Sequence, residues 1–282
     1  AEGISELVQL KDRPESDIFY RFRAKMLKDK HIEESKKGYA RALKLNPNDW
    51  KIWEESIQLS MNTNNHVKAL KLSTQAYRKY PGNYNIGLVH SEALLNNGKS
   101  EEVLHILKDI NILPYEHASK SRKIYDRAHA SIAIQLIKKG NFREAERILK
   151  RALEWPENLG VGKPFNPDER MQQYLLSLCY GALGNTSKEK ELLTEILNYS
   201  TRHEWKSSIN TVFGLFGLRS LSREQELQDI ISELEDTAPE KNTENHLALS
   251  IFKKKNKELR YSKEMNNIPL ETLEILTYLS EQ

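Results

Sequence analysis

Cysteine is nearly absent from this chain: Cys179 is the only one in 282 residues. A disulfide framework within one chain is therefore excluded, and so is a zinc site of clustered thiolates. A lone cysteine at an apolar helical position reads as a small buried hydrophobe. Glycine (12) and proline (9) are both scarce, which argues against disorder and against turn-rich β folds. No apolar run approaches the roughly 18–20 residues that a bilayer span requires, so no membrane partner is expected. No signal peptide is visible, and the chain begins at Ala1 rather than Met. It reads as a piece of something longer or as a processed chain, with the cytoplasm favoured as its compartment. The formal charge is only +3, from 43 basic and 40 acidic residues, so no surface built for nucleic acid is expected.

What is present is a period. Prolines fall at 14, 47, 81 and 114, with spacings of 33, 34 and 33. The stretches that lead into the last three align: YARALKLNP (39–47), STQAYRKYP (73–81) and ILKDINILP (106–114). Ala42 and Ala76 are 34 apart, as are Ala69 and Val103. Asn64 and Gly98 stand at the turn between two helices of their units. Each unit reads as a helix A and a helix B, such as DWKIWEESIQLSM followed by HVKALKLSTQAYRKY, with apolar residues recurring at three and four. Helices this short are marginal alone and must bury their stripes on neighbours.

A 34-residue helix–turn–helix with small residues at these places resembles the tetratricopeptide repeat. The best unit is HASIAIQLIKKGNFREAERILKRALEWP (129–156). In it Gly140-Asn141-Phe142 matches the family's turn, Ala145 and Ala152 its close-packing alanines, and Pro156 its terminal proline. Trp53 sits where the family often carries tryptophan, and Tyr180 and Gly184 fit a fifth unit. Ser35 and Glu189 depart from the pattern. The resemblance covers about residues 15–200 and implies an all-α superhelix, a right-handed solenoid of about five hairpins. In that phase Pro14 ends a repeat, and ISELVQLKD (4–12) reads as the tail of an earlier helix B whose helix A is missing.

Two insertions interrupt the phase, near 115–125 and 156–167. The first has no helix breakers between Tyr115 and Lys139, and its eight extra residues predict a helix A lengthened by about two turns. The second, from Pro156 through Gly160, Gly162 and Pro164, predicts a loop. Asn166 is expected to cap the next helix, with Pro167 at its first position and Glu169 reaching back. Two readings of this loop stand: a binding-face insertion, or a connection packed by Leu159, Val161 and Phe165. The segment PENLGVGKP, followed by YLLSLCYGALG, also resembles the tetratricopeptide-like part of large bacterial proteins with a mutarotase-like β domain upstream.

Chemistry-bearing motifs are missing. The eight histidines are scattered, and no His-Glu-x-x-His, Gly-x-Ser-x-Gly or dinucleotide fingerprint occurs. GVGKP lacks the spacing of a phosphate loop, and the acid pairs Glu54-Glu55 and Glu101-Glu102 read as solvated faces. The basic run KKKNKELRYSK (253–263) reads as a solvated helix end. No catalytic residue, metal site or cofactor is expected.

The groove remains. In the repeat family that this chain resembles, helix A residues line the concave face. The phase places Tyr20, Arg21, Lys51, Glu54, Glu55, Gln58, Asn85, Leu88 and Glu92 there. Family members that clamp chaperone C-terminal carboxylates need lysines, an arginine and asparagines where this chain has Tyr20, Ala24, Glu55, Asn85 and Val89, so no such clamp is expected. After residue 200 the phase fades. Ser222-x-x-Gln225 reads as a capping box, and further helices are expected near 243–258 and 269–280, the last with a stripe of Leu270, Leu273, Leu276 and Leu279. Residues 202–282 are read as irregular helices that close the repeats of residues 1–201. Two expectations follow from the resemblances. One is a non-catalytic scaffold that binds a protein, a peptide or its own upstream domain. The other is the helical module of a larger carbohydrate-related bacterial protein whose chemistry lies upstream. Oligomeric state is left open.

Overall fold

The structure is a computed structural model describing residues 14–114, 118–203, 205, 209–237, 249, 252–253 and 269–281. The expected helix at 4–12, that at 243–258 apart from three residues, and Tyr115–His117 of the first insertion lie outside the described residues. Among the described residues the secondary structure is α-helical with one short 3-10 turn and no strand.

The helices run α1 (Asp17–Leu27), α2 (Ile32–Leu45), α3 (Trp50–Asn62), α4 (His66–Lys79), α5 (Tyr84–Leu95), α6 (Ser100–Asp109), α7 (Ala118–Lys138) and α8 (Phe142–Ala152). After the 3-10 turn Glu157–Leu159 come α9 (Arg170–Ala182), α10 (Thr186–Arg202), α11 (Thr211–Ser220), α12 (Glu224–Thr237) and α13 (Leu270–Glu281). The chain forms two compact units. Unit 1 takes the residues up to Ile124 together with Asn158–Gly160; unit 2 takes Tyr125–Glu157 and the residues from Val161 onward. The boundary between these units falls inside α7.

One turn geometry recurs along the chain. Asn64, Gly98, Gly140, Gly184 and Ser222 all have left-handed backbone, with φ between 56° and 79°. In each case the next residue's N–H donates to a carbonyl five positions back: Asn65 to Ser60, Lys99 to Leu94, Asn141 to Leu136, Asn185 to Tyr180 and Arg223 to Leu218. This six-to-one bond satisfies carbonyls that the end of a helix would leave orphaned. It turns each helix A into its helix B. Asn65, Asn83 and Asn185, with Ser16 and Asp49, then cap following helices through side-chain oxygens.

The residue five after each turn lies at the A–B crossing. Ala69, Val103 and Ala145 are fully buried there, and so are Ala42, Ala76 and Ala152 further along the B helices. The two departures from this pattern are accommodated locally. Ser35 is buried and its hydroxyl donates to Ala24 O at 2.7 Å. Glu189 lies over Gly181, where an added Cβ would stand 2.7 Å from the Glu189 carboxylate. The small residue has moved from helix B to helix A.

The phase does not fade after residue 200. Ser222 adopts the same left-handed turn as Gly184, α12 begins two residues later, and Leu227, five after the turn, is buried. Ser222 is thus a turn residue and not a capping-box start. Serine hides the turn because the sequence pattern looks for glycine or asparagine there.

The second insertion divides between the units. In unit 1, Asn158 Nδ2 donates to Leu107 O and Ile110 O, both at 2.8 Å, and Asn158 O accepts from Ile112 N at 2.9 Å. Asn158 therefore covers carbonyls at the end of α6. Leu159 is buried and its carbonyl accepts from Ser121 Oγ at 2.8 Å. Gly160 has φ +72°, and a Cβ there would meet Ile112 O at 2.8 Å, so both backbone and space require glycine. In unit 2, α9 starts at Arg170 with Glu169 as its N-cap residue, so Asn166 is not the cap and Pro167 is not its first residue. Asp168 takes two bonds of 2.9 Å from the Arg170 guanidinium. Phe165 is fully exposed, against the expectation that it packs the loop down.

Candidate functional site

The first two A helices of unit 1, α1 and α3, carry most of the expected groove residues. Counting back from the turn residue Asn64, Lys51, Glu54, Glu55, Gln58 and Asn62 of α3 stand at thirteen, ten, nine, six and two. Lys51 and Asn62 are exposed, and Glu54, Glu55 and Gln58 are half-buried. Gln58 Nε2 donates to Asn62 Oδ1 at 3.1 Å. On α1, Arg21 donates to both oxygens of Glu55, at 2.9 and 2.8 Å, and also lies 3.6 Å from Asp49. Residues one period apart are thus a forked ion pair joining successive A helices. Tyr39 is buried beside this pair, and burial together with the Glu55 charge pushes its phenol above the ordinary value. Half-buried Tyr20 has the Arg41 guanidinium 6.0 Å from its ring centre.

Next to Glu55 a cleft of about 300 Å3 opens, lined by Lys25, Lys28, Ile32, Gln58, Asn62 and Thr63 among others. The ends of α1 and α3 supply most of it. Its lining carries the ammonium groups of Lys25 and Lys28, the carboxamides of Gln58 and Asn62 and the carboxyl groups of Asp29 and Glu55, together with Leu59, which is buried.

The third A helix, α5, is different. Leu88 is 1% exposed and offers a partner no surface. The helix is packed by α3, α4 and α6, and its residues from Ile86 to Ser91 are all buried. Glu92 pairs with Lys120 at 2.9 Å, from the turns added at the start of α7. Asn85 is half-buried. Among the described residues of unit 1, the more open A-helix face is that of α1 and α3.

In unit 2 the same register positions are mostly apolar. Before Gly140 they are Arg127, Ala130, Ser131, Ile134 and Lys138 of α7. Before Gly184 and Ser222 they include Tyr174 and Leu175 of α9, and Val212, Phe213 and Phe216 of α11, all of them buried. The C-terminal part of the chain lies on them. Arg127 Nε donates to Glu271 of α13 at 2.5 Å, and Lys138 Nζ donates to Glu274 at 2.8 Å. Phe252 packs on Phe216 with ring centres 5.3 Å apart, and the Arg219 guanidinium sits 3.9 Å over the Phe252 ring. Ile275, Leu276 and Leu279 of α13 belong to the core that holds Ile134, Tyr174 and Phe213.

Five left-handed turns in register make this an all-α helical-repeat fold, with a buried residue five positions on at Ala69, Val103, Ala145 and Leu227 and the half-buried Glu189 at the fourth turn. No protein-family model matches the chain, and no curated protein matches it. Among solved structures, the chain is similar to YrrB, titled a TPR protein with an unusual peptide-binding site, at 15% identity and TM-score 0.46, over 71% of this chain and 94% of that one. It is similar to Naa15/Naa10 bound to HypK-THB at 15% identity and TM-score 0.47, over 84% of this chain and 34% of that one. PilW, a type IV pilus biogenesis factor, gives 16% identity and TM-score 0.42 over 73% and 87%.

Several other chemistry-bearing groups are packed inside the fold. Among the described residues no three His, Cys, Asp or Glu side chains gather as a metal site, and no helix is long and apolar enough to cross a membrane. Cys179 is fully buried, and burial pushes its thiol up to about 12, so it holds its proton and is no nucleophile. His129 is buried against Tyr125, with Nδ1 2.9 Å from Tyr125 O. His90 is buried with Nδ1 2.9 Å from Ser73 Oγ, and its ring stacks on Tyr77. Lys253, the described start of the basic run, pairs with Glu235.

Proposed function

We propose that this chain is a non-catalytic interaction scaffold that holds an extended peptide of a partner protein on the α1–α3 face of unit 1. What carries the reading is the cleft beside Glu55, where Lys25, Lys28, Gln58 and Asn62 meet at one open mouth. Hydrogen-bonding groups with mixed charge, set on two consecutive rigid helices, suit recognition of a peptide by its side chains and backbone. The Arg21–Glu55 pair supports the reading by locking the spacing of the two helices from below.

The test is selection from a random-peptide display library on the intact chain, followed by calorimetry with the selected peptides. The expected outcome is that Lys28→Glu combined with Gln58→Ala weakens binding at least tenfold while the melting temperature stays unchanged. Peptides whose affinity is untouched by both changes, and whose crosslinks fall away from α1 and α3, would overturn the proposal.

A further inference from the structure

The chain's own C-terminal helix sits at the positions where a tetratricopeptide-like face would meet a partner. We propose that the A-helix face of unit 2 is an acceptor for an amphipathic acidic helix, and that α13 is its resident, exchangeable occupant. This is separate from the proposed use of unit 1 and does not rest on it.

Three observations converge. The first is register. Arg127 and Lys138 are the equivalents, thirteen and two residues before the turn, of Lys51 and Asn62 in α3. They stand three turns apart on one side of α7. Glu271 and Glu274 of α13 meet them, 144 and 136 residues away along the chain. The second is the chemistry of the contact. Glu271 is only 4% exposed, and its partner Arg127 donates through Nε and, at 3.5 Å, through Nη2. A carboxylate this deeply buried requires its cation. Lys138 and Glu274 are more than a third exposed and act as a solvated second clasp. The two acids, one turn apart on α13, flank an apolar side of Ile275, Leu276 and Leu279. The third is the apolar lining of the acceptor, which is Ile134 and Tyr174 where unit 1 has polar groups. A ligand for this face is therefore a helix with an Ile/Leu stripe and two acids at i and i+3 on its edge.

Among the described residues, α13 meets the face through the Arg127–Glu271 and Lys138–Glu274 pairs and through the stripe of Ile275, Leu276 and Leu279. Such an occupant can leave without dismantling the hairpins beneath it, and a partner helix of the same pattern would compete with it. The face is thus a binding site kept covered in cis, with Ile275, Leu276 and Leu279 of α13 in the same core as Ile134.

Native-state hydrogen exchange on the intact chain tests the first half. The expected result is that α13 amides exchange through an opening of their own, while α9 and α11 stay protected. Glu271→Lys with Glu274→Lys should speed α13 exchange at least tenfold, and adding Arg127→Glu with Lys138→Glu should restore it to within about threefold. The second half is tested with a labelled peptide of residues 269–282 added to the unmodified chain. It should bind saturably and be displaced by unlabelled peptide, and the peptide with both glutamates changed to lysine should bind at least tenfold more weakly. If α13 exchanges only together with α9 and α11, the occupant is a fixed part of the core and the proposal fails. If α13 opens alone but the added peptide does not bind, the acceptor role fails.

Discussion

On α3 the positions nine and six residues before the turn are Glu55 and Gln58; on α11 they are Phe213 and Phe216. The backbone at the two places is the same, a helix A ending in a left-handed residue. The difference lies in what covers it. In unit 1 the positions are half-exposed and polar, and beside them is a cleft lined by lysines and carboxamides. In unit 2 they are aromatic and buried under Phe252 and the core that includes α13. One repeat geometry thus produces an open polar face in one unit and a covered apolar one in the other. The choice is made by side chains at a handful of register positions and by a segment that arrives from the far end of the chain.

This contrast can be broken most directly in unit 2. Leu276→Ala removes a fully buried side chain from α13. It should cost about 2–5 kcal/mol in urea unfolding if the helix is packed as described. A cost below about 0.5 kcal/mol would place α13 off the core. The next largest effect belongs to His90 in unit 1, whose imidazole burial pushes down to about 4, with Glu102 opposing and Lys99 assisting. The unfolded chain takes up this proton near 6.5, so it binds more protons than the folded chain between those values. Stability should therefore fall as pH drops from 6.5 toward 4, by up to about 3 kcal/mol. His90→Phe, which can keep the stack on Tyr77, should flatten that part of the pH–stability profile.

Asn158→Ala removes two side-chain hydrogen bonds to carbonyls near the end of α6. It should destabilise unit 1 by about 1–3 kcal/mol, read as faster exchange of the α6 amides, and leave unit 2 unchanged. The Arg21–Glu55 pair is about a quarter exposed, at 29% and 21%. A double-mutant cycle with alanine at both positions should give a coupling of no more than about 1 kcal/mol. Smallest of all, Gln58→Ala should change stability by less than about 0.5 kcal/mol, since the residue is half-buried on an open face. A large loss there would mean that the unit 1 face is covered after all.

Much of the architecture was legible in the residues. The spacing of Ala42 and Ala76, of Ala69 and Val103, and the turn at Gly140 located helices and crossings because these are local requirements. A crossing needs a small side chain, and a left-handed turn favours glycine or asparagine. Legibility failed where one residue type substituted for another at the same backbone geometry. Ser222 hid a full further hairpin. Glu189 looked like a broken repeat because its compensation, Gly181, lies on the other helix. The groove was legible as a set of positions and not as a surface: Leu88 holds the right register but is buried, and Glu92 is half-buried in an ion pair with Lys120. Phe165 reads as a packing residue by its type, yet it is fully exposed, and Asn158 and Leu159 are the residues of this stretch that pack into unit 1.

The sequence by itself determined the hairpin, its turn and its repeat, because each depends on contacts within about 34 residues and on side-chain size at fixed offsets. Only the tertiary structure decided which A-helix face is open and which is filled. That outcome rests on Arg21 finding Glu55 across two helices, and on Glu271 finding Arg127 across 144 residues. No periodicity records such meetings, because the physical quantity that selects them is the burial of charge and apolar area in the assembled fold.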